Sequence, residues 1–357
     1  ENLSVTMPWR DVMDSLSQKH IESRSLQITI ILMAALATTV FGFLAIGIGS
    51  SEKLGFLNTA KIILGYCGGT PTDFDIIWRL RFPRILMGVV AGVSLAVAGA
   101  LMQGCLGNPL VSPLTLGVAS GASLGASLAI IAGVSIVAVP ELAIVANSFL
   151  FSLIVVAIII QLGKYRSVSA ESYILVGIAI TFICGAIVST LTYFASDAEL
   201  SQLTHWSFGS LSRTNLVTTV LITIAIVILL PTAMVWAWDL NALSVGGDEF
   251  AITTGVNPAT MRRNILILTA FMTSLIIAFT GMIGFVGLAA PHMARIVVGN
   301  DFRKLIPCSG VFGAFLMLFA DTVGRTLFAP IVIPVGVMLS VIGGPFFMYL
   351  LLARRGR

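Results

Sequence analysis

A segment in the first third of the chain begins with arginines and continues as a run of small and apolar residues. The segment, RFPRILMGVVAGVSLAVAGALMQGC, occupies residues 81–105 and is rich in Gly and Ala. Small side chains bury little apolar area, so this composition would give a water-soluble domain a weak core. In a lipid bilayer, small residues instead allow helix backbones to approach closely, and helix packing there depends on that fit. The run therefore predicts a tightly packed membrane helix.

The overall composition argues against a water-soluble protein. Hydrophobic residues make up 57% of the chain and charged residues only 10%, whereas a soluble domain carries about 25% charged residues. The net charge of +4 is small and dispersed, which argues against nucleic-acid binding. Most of the protein surface is therefore expected to face lipid.

The hydrophobic runs predict an all-α polytopic membrane protein with ten transmembrane helices, because about 20 apolar residues cross a bilayer as a helix. The eighth run is short and rich in Gly and Pro, so nine spans is the alternative. A polar N-terminal segment, residues 1–26, is expected to precede a single transmembrane domain, residues 27–357. The predicted spans are 27–49, 82–105, 114–133, 142–163, 173–195, 215–238, 264–281, 283–298, 306–327 and 332–352.

The charged residues of the loops predict the orientation. An even number of spans places both termini on one side, and a cytoplasmic location puts most loop Lys and Arg residues in the cytoplasm, as the positive-inside tendency requires. Arg79, Arg81 and Arg84 then lie on the outer side, against that tendency. They are interpreted either as side chains that reach lipid phosphates or as a docking patch for an acidic extracellular partner, which Arg325 could join.

Glycines at four-residue spacing predict where helices pack closely, because small residues four positions apart share one face of a helix. Gly88 and Gly92 form one such face. The other consists of Gly117, Gly121 and Gly125. A further glycine series in residues 281–287, followed by Pro291, predicts that the eighth span is not a regular helix throughout.

The turn Asn108-Pro109-Leu110 interrupts two apolar runs on the predicted cytoplasmic side. One interpretation is a plain turn, because the residue before a proline avoids the helical region. The other is a constriction at the mouth of a transport pathway. The residues alone leave these two interpretations open.

Residues 239–264 form the longest internal segment on the predicted cytoplasmic side. Gly246-Gly247 are expected to break the chain, Asp248 to cap a short helix, and Asn257 to begin the next helix. Two short helices joined by a tight turn form a rigid knob. The knob is interpreted either as a contact for a cytoplasmic partner or as a loop on the membrane surface.

Motifs for phosphate binding, metal binding and ion coupling are absent from the sequence. There is no GxxxxGK[ST] loop, and the His and Cys residues are far apart and form no metal-ligand motif. Asp321 is the main acidic residue within a span, and Arg325 one turn later is expected to neutralise it. These absences argue against a membrane-embedded enzyme. A secondary carrier driven by an ion gradient is the alternative, although it would need mid-span carboxylates.

Several longer motifs lie between residues 79 and 352. They are RFPR at 81–84, AGALMQGCLGNPL at 98–110, LGVASGASLGA at 116–126, VGGDEFAITTGV at 245–256, GMIGFVGLAAPHMAR at 281–295, ADTVGRTL at 320–327 and IPVGVMLSVIGGPFFMYLL at 333–351. Through these motifs and their order the chain resembles the permease subunits of type II ABC importers, the FecCD family, which import vitamin B12, ferric siderophores and haem.

The resemblance implies a homodimer around a central pathway in the cell membrane of a prokaryote. Two cytoplasmic ATPase subunits and one extracytoplasmic binding protein would complete the importer. No cofactor or metal is expected on this chain, since ATP and Mg²⁺ would be used by the partner ATPase subunits. The imported metal chelate stays open among ferric siderophore, haem and cobalamin, of which ferric siderophore is the commonest assignment in the family.

The resemblance also implies roles for individual residues. Glutamates of the binding protein would meet Arg81, Arg84 and Arg325. The inner gate would be formed by Asn108 and Leu110, and by Ser169 and Ser172 in a loop whose sequence departs from the family pattern. The coupling segment, about residues 240–262, would contact the ATPase subunits through Leu243, Gly246, Gly247, Asp248, Glu249, Ala251 and Gly255.

Overall fold

The computed structural model describes residues 9–48, 55–65, 69–164 and 169–353. In these ranges the chain forms α-helices and no strand, which confirms the all-α prediction. A π-helical segment, Ile76–Arg81, joins α3 to α4. The helices are α1 (Trp9–Gly47), α2 (Phe56–Ile63), α3 (Pro71–Asp75), α4 (Phe82–Cys105), α5 (Val118–Ile130), α6 (Pro140–Lys164), α7 (Ala170–Tyr193), α8 (Asp197–Ser207), α9 (Leu216–Val235), α10 (Ala237–Thr253), α11 (Pro258–Thr280), α12 (Val286–Val298), α13 (Phe302–Thr326) and α14 (Val335–Ala353).

Seven helical segments in the described ranges are long and apolar enough to cross a membrane. They are α1 from Ser25, the continuous segment from α3 to α4, and α6, α7, α9, α11 and α13. The apolar helices α5, α12 and α14 are shorter. A 13-residue helix such as α5 extends only about 20 Å, less than the hydrocarbon thickness of about 30 Å. The polytopic membrane architecture is confirmed, whereas the count of ten spans stays a prediction.

The start of the first span differs from the expected boundary, whereas the eighth span is irregular as expected. Helix α1 begins at Trp9, so residues 9–26 of the expected polar segment continue into the first span as one helix. Residues 1–8 and 354–357 lie outside the described ranges. The expected irregularity of the eighth span is confirmed at its start, because residues 281–285 are not helical, while Pro291 lies inside α12.

Helix α4 is the most enclosed of the long apolar helices. In the most apolar stretch of its span 83% of the residues are buried, compared with 17% for α7 and 22% for α9. It packs mainly against α13, α11 and α12, while α7 and α9 turn large apolar side chains outward. Since a water-facing surface of that composition would be unfavourable, the outward faces of α7 and α9 suit contact with lipid.

The contact of α4 with its neighbours is a contact between backbones. A Cβ atom placed on Gly92 would lie 2.4 Å from the carbonyl oxygen of Gly313 in α13, and one placed on Gly99 would lie 1.8 Å from that of Gly287 in α12. Neither distance leaves room for a methyl group. The close packing predicted at Gly92 is therefore confirmed, and Gly99 extends the same helix interface.

The second glycine face packs α5 against α6. Cβ atoms at Gly121 and Gly125 would lie 2.7 Å and 2.3 Å from the carbonyl oxygens of Phe151 and Asn147. These two positions confirm the expected close approach. Gly117 differs, because it precedes α5 with a φ of 88° and so supplies a left-handed turn.

Replacing Gly92 with Ala is expected to lower the thermal stability of the detergent-solubilised protein by several degrees, because the added methyl group must separate α4 from α13. Gly185→Ala in α7 is the matched control, since no atom lies within 4 Å of a Cβ there. Alanine is favoured over glycine in a helix by about 1 kcal/mol at both sites. Fluorescence-detected thermal unfolding measures the difference, and equal stability of the two variants would contradict the packing.

Candidate functional site

Two polar clusters lie at opposite ends of the helix bundle, because α4 begins in one and ends in the other. The arginine cluster consists of Arg81, Arg84, Asp321 and Arg325, around the start of α4 and the end of α13. The second cluster surrounds Cys105, the last residue of α4. All residues with an implied role in docking belong to the first cluster, and the implied coupling residues lie near the second.

Asp321 is a buried carboxylate that binds two arginines. Its Oδ1 accepts a hydrogen bond from Nε of Arg84 at 2.9 Å, and its Oδ2 accepts one from Nε of Arg325 at 2.9 Å. The Asp321 side chain is fully buried, and a buried carboxylate requires such partners. The expected pair with Arg325 is confirmed. The pair with Arg84 was not expected, because the two residues are 237 positions apart.

The arginine cluster also closes the end of α1. Nη1 of Arg81 donates to the carbonyl oxygen of Ile46 at 2.9 Å. Arg325 donates to the carbonyl oxygens of Ile48 at 2.7 Å and of Ala45 at 3.3 Å. The last carbonyl groups of a helix have no partner within the helix and carry the negative end of its dipole. The two guanidinium groups therefore stabilise α1 electrostatically.

The structure brings together all three arginines with an implied docking role. Arg81 and Arg325 are each 8% exposed, and their guanidinium groups hydrogen-bond within the chain. Arg79 differs, because its exposed side chain forms an ion pair with the exposed Asp75 at 2.9 Å. The docking role of the cluster stays a prediction.

The implied gate residues lie in two short turns. After α4, the backbone N–H of Leu110 donates to Oδ1 of Asn108 at 2.9 Å, and this Asx turn orders the residues around Pro109. At the start of α7, the hydroxyl oxygens of Ser169 and Ser172 are 3.1 Å apart. Within the described ranges no hydrogen bond joins the two turns, and residues 165–168 lie outside those ranges. A gate role for either turn stays a prediction.

Helix α10 is broken in the middle of the coupling segment. Gly247 has φ 68° and ψ −160°, a left-handed conformation that glycine adopts without strain, and the expected break is confirmed there. Leu243 and Ala251 are buried. The apolar side chains of Phe250 and Ile252 are 45% and 62% exposed. These two apolar side chains are therefore available for contact with a partner.

The second half of the coupling segment ends as the sequence predicts. Gly255 has a φ of 85° and follows the end of α10. Asn257 then accepts a hydrogen bond from the backbone N–H of Thr260 at 3.2 Å and begins α11, with Pro258 in its first turn. Gly246 and the exposed Glu249 lie on either side of the break. The short helix after Gly247 is thus held between two defined turns.

Arg262 connects the coupling segment to the end of α4. Its Nη1 donates to Oδ2 of Asp248 at 2.8 Å, and its Nε donates to the carbonyl oxygen of Cys105 at 3.0 Å. Arg262 is 4% exposed. The sequence predicted a capping role for Asp248, whereas the structure shows its carboxylate bound to Arg262. This contact was missed because it joins three separate segments.

A cavity of about 860 Å³ with both polar and apolar lining residues lies beside the coupling segment, between the ends of α4 and α12 and the start of α13. Asn241 lines the cavity, where its Nδ2 donates to Oδ1 of Asp301 at 2.9 Å and its side-chain oxygen accepts from the N–H of Phe302 at 2.8 Å. Hydrogen bonds from Arg303 lower the pKa of Asp301 to about 2, so Asp301 is ionised at neutral pH. The Arg303 guanidinium in turn lies 4.1 Å from the ring centre of Trp238.

Within the described ranges, no three His, Cys, Asp or Glu residues lie together in an arrangement that could hold a metal ion. Cys105, Cys184 and Cys308 are free thiols in buried positions, where a thiol behaves as a small apolar group. The expectation that this chain itself holds no metal or cofactor stays a prediction.

Comparisons with known proteins agree over most of the chain. The model of the FecCD transport family matches residues 36–353. A hemin transport system permease protein of Yersinia pestis is 37% identical over 314 residues, which cover 85% of this chain and 92% of that protein. An Fe(3+)-citrate import system permease protein of Bacillus subtilis is 32% identical over 327 residues, with 90% and 94% coverage.

A solved structure has the same fold. It is described as an inward-facing conformation of a metal-chelate type ABC transporter, and the match has a TM-score of 0.79 at 28% identity. The matched region covers 91% of this chain and 99% of the other chain. The helical architecture therefore corresponds to that of a transporter along nearly its full length.

Replacing Asp321 with Asn is expected to destabilise the protein strongly, because Arg84 and Arg325 then lose their shared counter-charge in a buried site. Removing one partner of a buried ion pair costs about 3–5 kcal/mol. Asp75→Asn is the matched control, since it removes the exposed pair with Arg79 and should leave stability unchanged. Thermal unfolding in detergent compares the two variants. A wild-type unfolding temperature for Asp321→Asn would contradict the role assigned to the cluster.

Proposed function

Because the chain belongs to the FecCD transport family, we infer that it is the membrane-spanning permease subunit of an ATP-driven importer for metal chelates. The observation that carries this conclusion is the family match over residues 36–353 on a bundle with seven long apolar helices in its described ranges. The named relatives are permeases for hemin and for ferric citrate. For this chain the substrate class is a metal chelate, with ferric siderophore, haem and cobalamin as the candidates.

We propose that the complete importer contains two copies of this chain, two cytoplasmic ATPase subunits and an extracytoplasmic binding protein. ATP and Mg²⁺ are used by the ATPase subunits. The family supports these partners, and the exposed apolar side chains of Phe250 and Ile252 support an ATPase contact at the coupling segment. When a partner binds such a surface, the exposed apolar side chains become buried against it, and their removal from water favours the contact.

The proposed orientation in the cell membrane places the coupling segment and both termini in the cytoplasm. A hydrogen bond from Lys304 to Gln27 brings the start of the first span to the end of the bundle that carries Asp301. The arginine cluster then faces outward. The cluster contains three arginines and one carboxylate, Asp321, which binds Arg84 and Arg325. The cluster itself therefore carries an excess of positive charge, which favours an acidic surface on the binding protein.

Transport by this proposal is alternating access. A loaded binding protein docks at the arginine cluster, and ATP binding draws the two ATPase subunits together. The coupling segments follow that motion, and the turn that carries Asn108 and Leu110 opens or closes the cytoplasmic side of the pathway, opposite the turn that carries Ser169 and Ser172. Each ligand must favour a different gate state for this coupling to work.

Uptake by the complete importer is expected to require ATP hydrolysis. Liposomes that contain the permease and its ATPase subunits, with binding protein outside, should accumulate one of a panel of ferric siderophore, haem, cobalamin and ferric citrate. Uptake should persist in the presence of ionophores. The control carries an ATPase subunit whose Walker A lysine is replaced, which should abolish accumulation because that lysine contacts the ATP phosphates. Accumulation driven by an ion gradient without ATPase subunits would instead identify a secondary carrier.

Replacing Ile252 with Asp is expected to reduce copurification of the ATPase subunits by at least about tenfold, because burying an unpaired carboxylate in an apolar contact is costly. The side chain is 62% exposed, so the permease itself should keep its unfolding temperature. Ser201→Asp is the matched control, since Ser201 is an exposed residue of α8 at the opposite end of the bundle. Wild-type copurification of Ile252→Asp would contradict the ATPase contact.

A further inference from the structure

Arg262 is a buried arginine that the sequence did not single out. It lies in the first turns of α11, 4% exposed, and its guanidinium group donates in two directions. Nη1 and Nη2 bind the two carboxylate oxygens of Asp248 at 2.8 Å and 2.5 Å. Nε binds the carbonyl oxygen of Cys105 at 3.0 Å. One planar side chain thus holds two other segments of the chain.

The first of these segments is the part of the coupling segment that follows the break at Gly247. Asp248 is the first residue after the break, and its side chain is 43% exposed whereas that of Arg262 is 5% exposed. The same short helix carries the exposed Phe250 and Ile252. A partner that presses on these apolar side chains therefore also displaces Asp248.

The second segment is the end of α4 together with the turn that follows it. Cys105 is the last residue of α4. The backbone N–H of Asn108 donates to the carbonyl oxygen of Gln103 at 3.2 Å, and that of Gly107 donates to Gly104 at 3.4 Å. The turn that carries Asn108 is thus hydrogen-bonded to the last turn of α4. A movement of the Cys105 carbonyl moves the turn with it.

The chemistry of the guanidinium group suits this connection. It is planar and delocalised and presents its donors in a fixed fork, so two donors can hold a carboxylate while the third points to a different acceptor. A lysine ammonium is a single point charge and keeps the ion pair without this fixed geometry. Charge-assisted hydrogen bonds of this kind are among the stronger ones in proteins.

We propose that Arg262 is a positioning residue that transmits movement of the coupling segment to the turn carrying Asn108 and Leu110. This inference rests on the proposed function, because it requires an ATPase subunit to bind the coupling segment. It assigns to one side chain the connection between ATP-driven motion and the cytoplasmic end of the pathway. The connection consists of the pair with Asp248 and the hydrogen bond to Cys105.

The test compares variants in the complete importer reconstituted in liposomes, with chelate uptake and ATP hydrolysis measured on the same sample. Arg262→Lys keeps the positive charge beside Asp248 but loses the fixed fork. Copurification of the ATPase subunits and ATP hydrolysis should stay near wild type, while chelate transported per ATP hydrolysed falls by about tenfold, the effect of one lost charge-assisted hydrogen bond. Arg263→Lys is the matched control, because the neighbouring Arg263 is exposed and its guanidinium group donates to the side chain of the adjacent Asn264.

A charge exchange separates the two contacts of Arg262. The double variant Asp248→Arg with Arg262→Asp restores an ion pair between the same positions, but a carboxylate cannot donate to the Cys105 carbonyl. Its unfolding temperature should exceed that of Arg262→Asp alone, while transport per ATP stays low. If the double variant regains wild-type transport per ATP, the hydrogen bond to Cys105 has no role and the proposal is overturned.

Other outcomes distinguish this inference from the proposed function. Wild-type transport per ATP in Arg262→Lys overturns the inference alone. Parallel loss of assembly, ATP hydrolysis and transport in Arg262→Lys would identify a purely structural residue and would also overturn the inference. In that case Asp248→Asn repeats the measurement with Arg262 intact. Normal transport per ATP in Asp248→Asn would confirm that the inference is wrong. Failure of the wild-type chain to bind any ATPase subunit instead overturns the proposed function.

Discussion

The contact between the backbones of α4 and α13 is the constraint on which the rest of the structure depends. Gly92 and Gly313 face each other so closely that neither could carry a Cβ atom without movement, and most of the span that includes α4 is buried. A bilayer provides little hydrophobic drive between helices, so such close packing is a main source of helix association. With α4 held in the centre of the bundle, its two ends become the places where polar residues of several helices meet.

The polar clusters at the two ends of α4 share one arrangement. In each, an arginine binds a carboxylate and also a carbonyl group at the end of a helix. Arg325 binds Asp321 and the last carbonyl groups of α1, and Arg262 binds Asp248 and the last residue of α4. Helix-terminal carbonyl groups lack partners within their own helix, so a buried guanidinium group satisfies them while its own charge is compensated. In both places the arginine joins segments that are distant in sequence.

This arrangement bears on transport because it connects the helices that a transporter must move. The arginine cluster ties together α1, α4 and α13, and any acidic partner that binds there competes with Asp321 and with the end of α1 for the same guanidinium groups. The contact at Arg262 ties the coupling segment to α4. One central helix thus runs between the end proposed for the binding protein and the end proposed for the ATPase subunits, and packed elements of this kind transmit displacement as units.

Much of the fold could be predicted from local sequence. The apolar runs predicted the long helices, because length and composition decide whether a segment can cross a bilayer. The spacing of Gly92, Gly121 and Gly125 predicted helix contacts, and Gly247 predicted the break in α10, because each depends on the properties of the residue itself. Less could be predicted where short helices are involved. Helix α5 begins later and ends earlier than its expected span, and α12 begins later than expected but ends at the expected residue.

The sequence by itself determined the class of protein, its membrane helices and its family, because hydrophobicity, small-residue spacing and motif order are all local properties of the chain. It also grouped Arg81, Arg84 and Arg325 and predicted that Arg325 pairs with Asp321. Only the tertiary structure decided that Arg84 shares Asp321 with Arg325, and that Arg262 reaches Cys105, which is 157 positions away. Which group a buried charge binds depends on which helix ends the packing brings within hydrogen-bond distance. That information is not contained in any local sequence pattern.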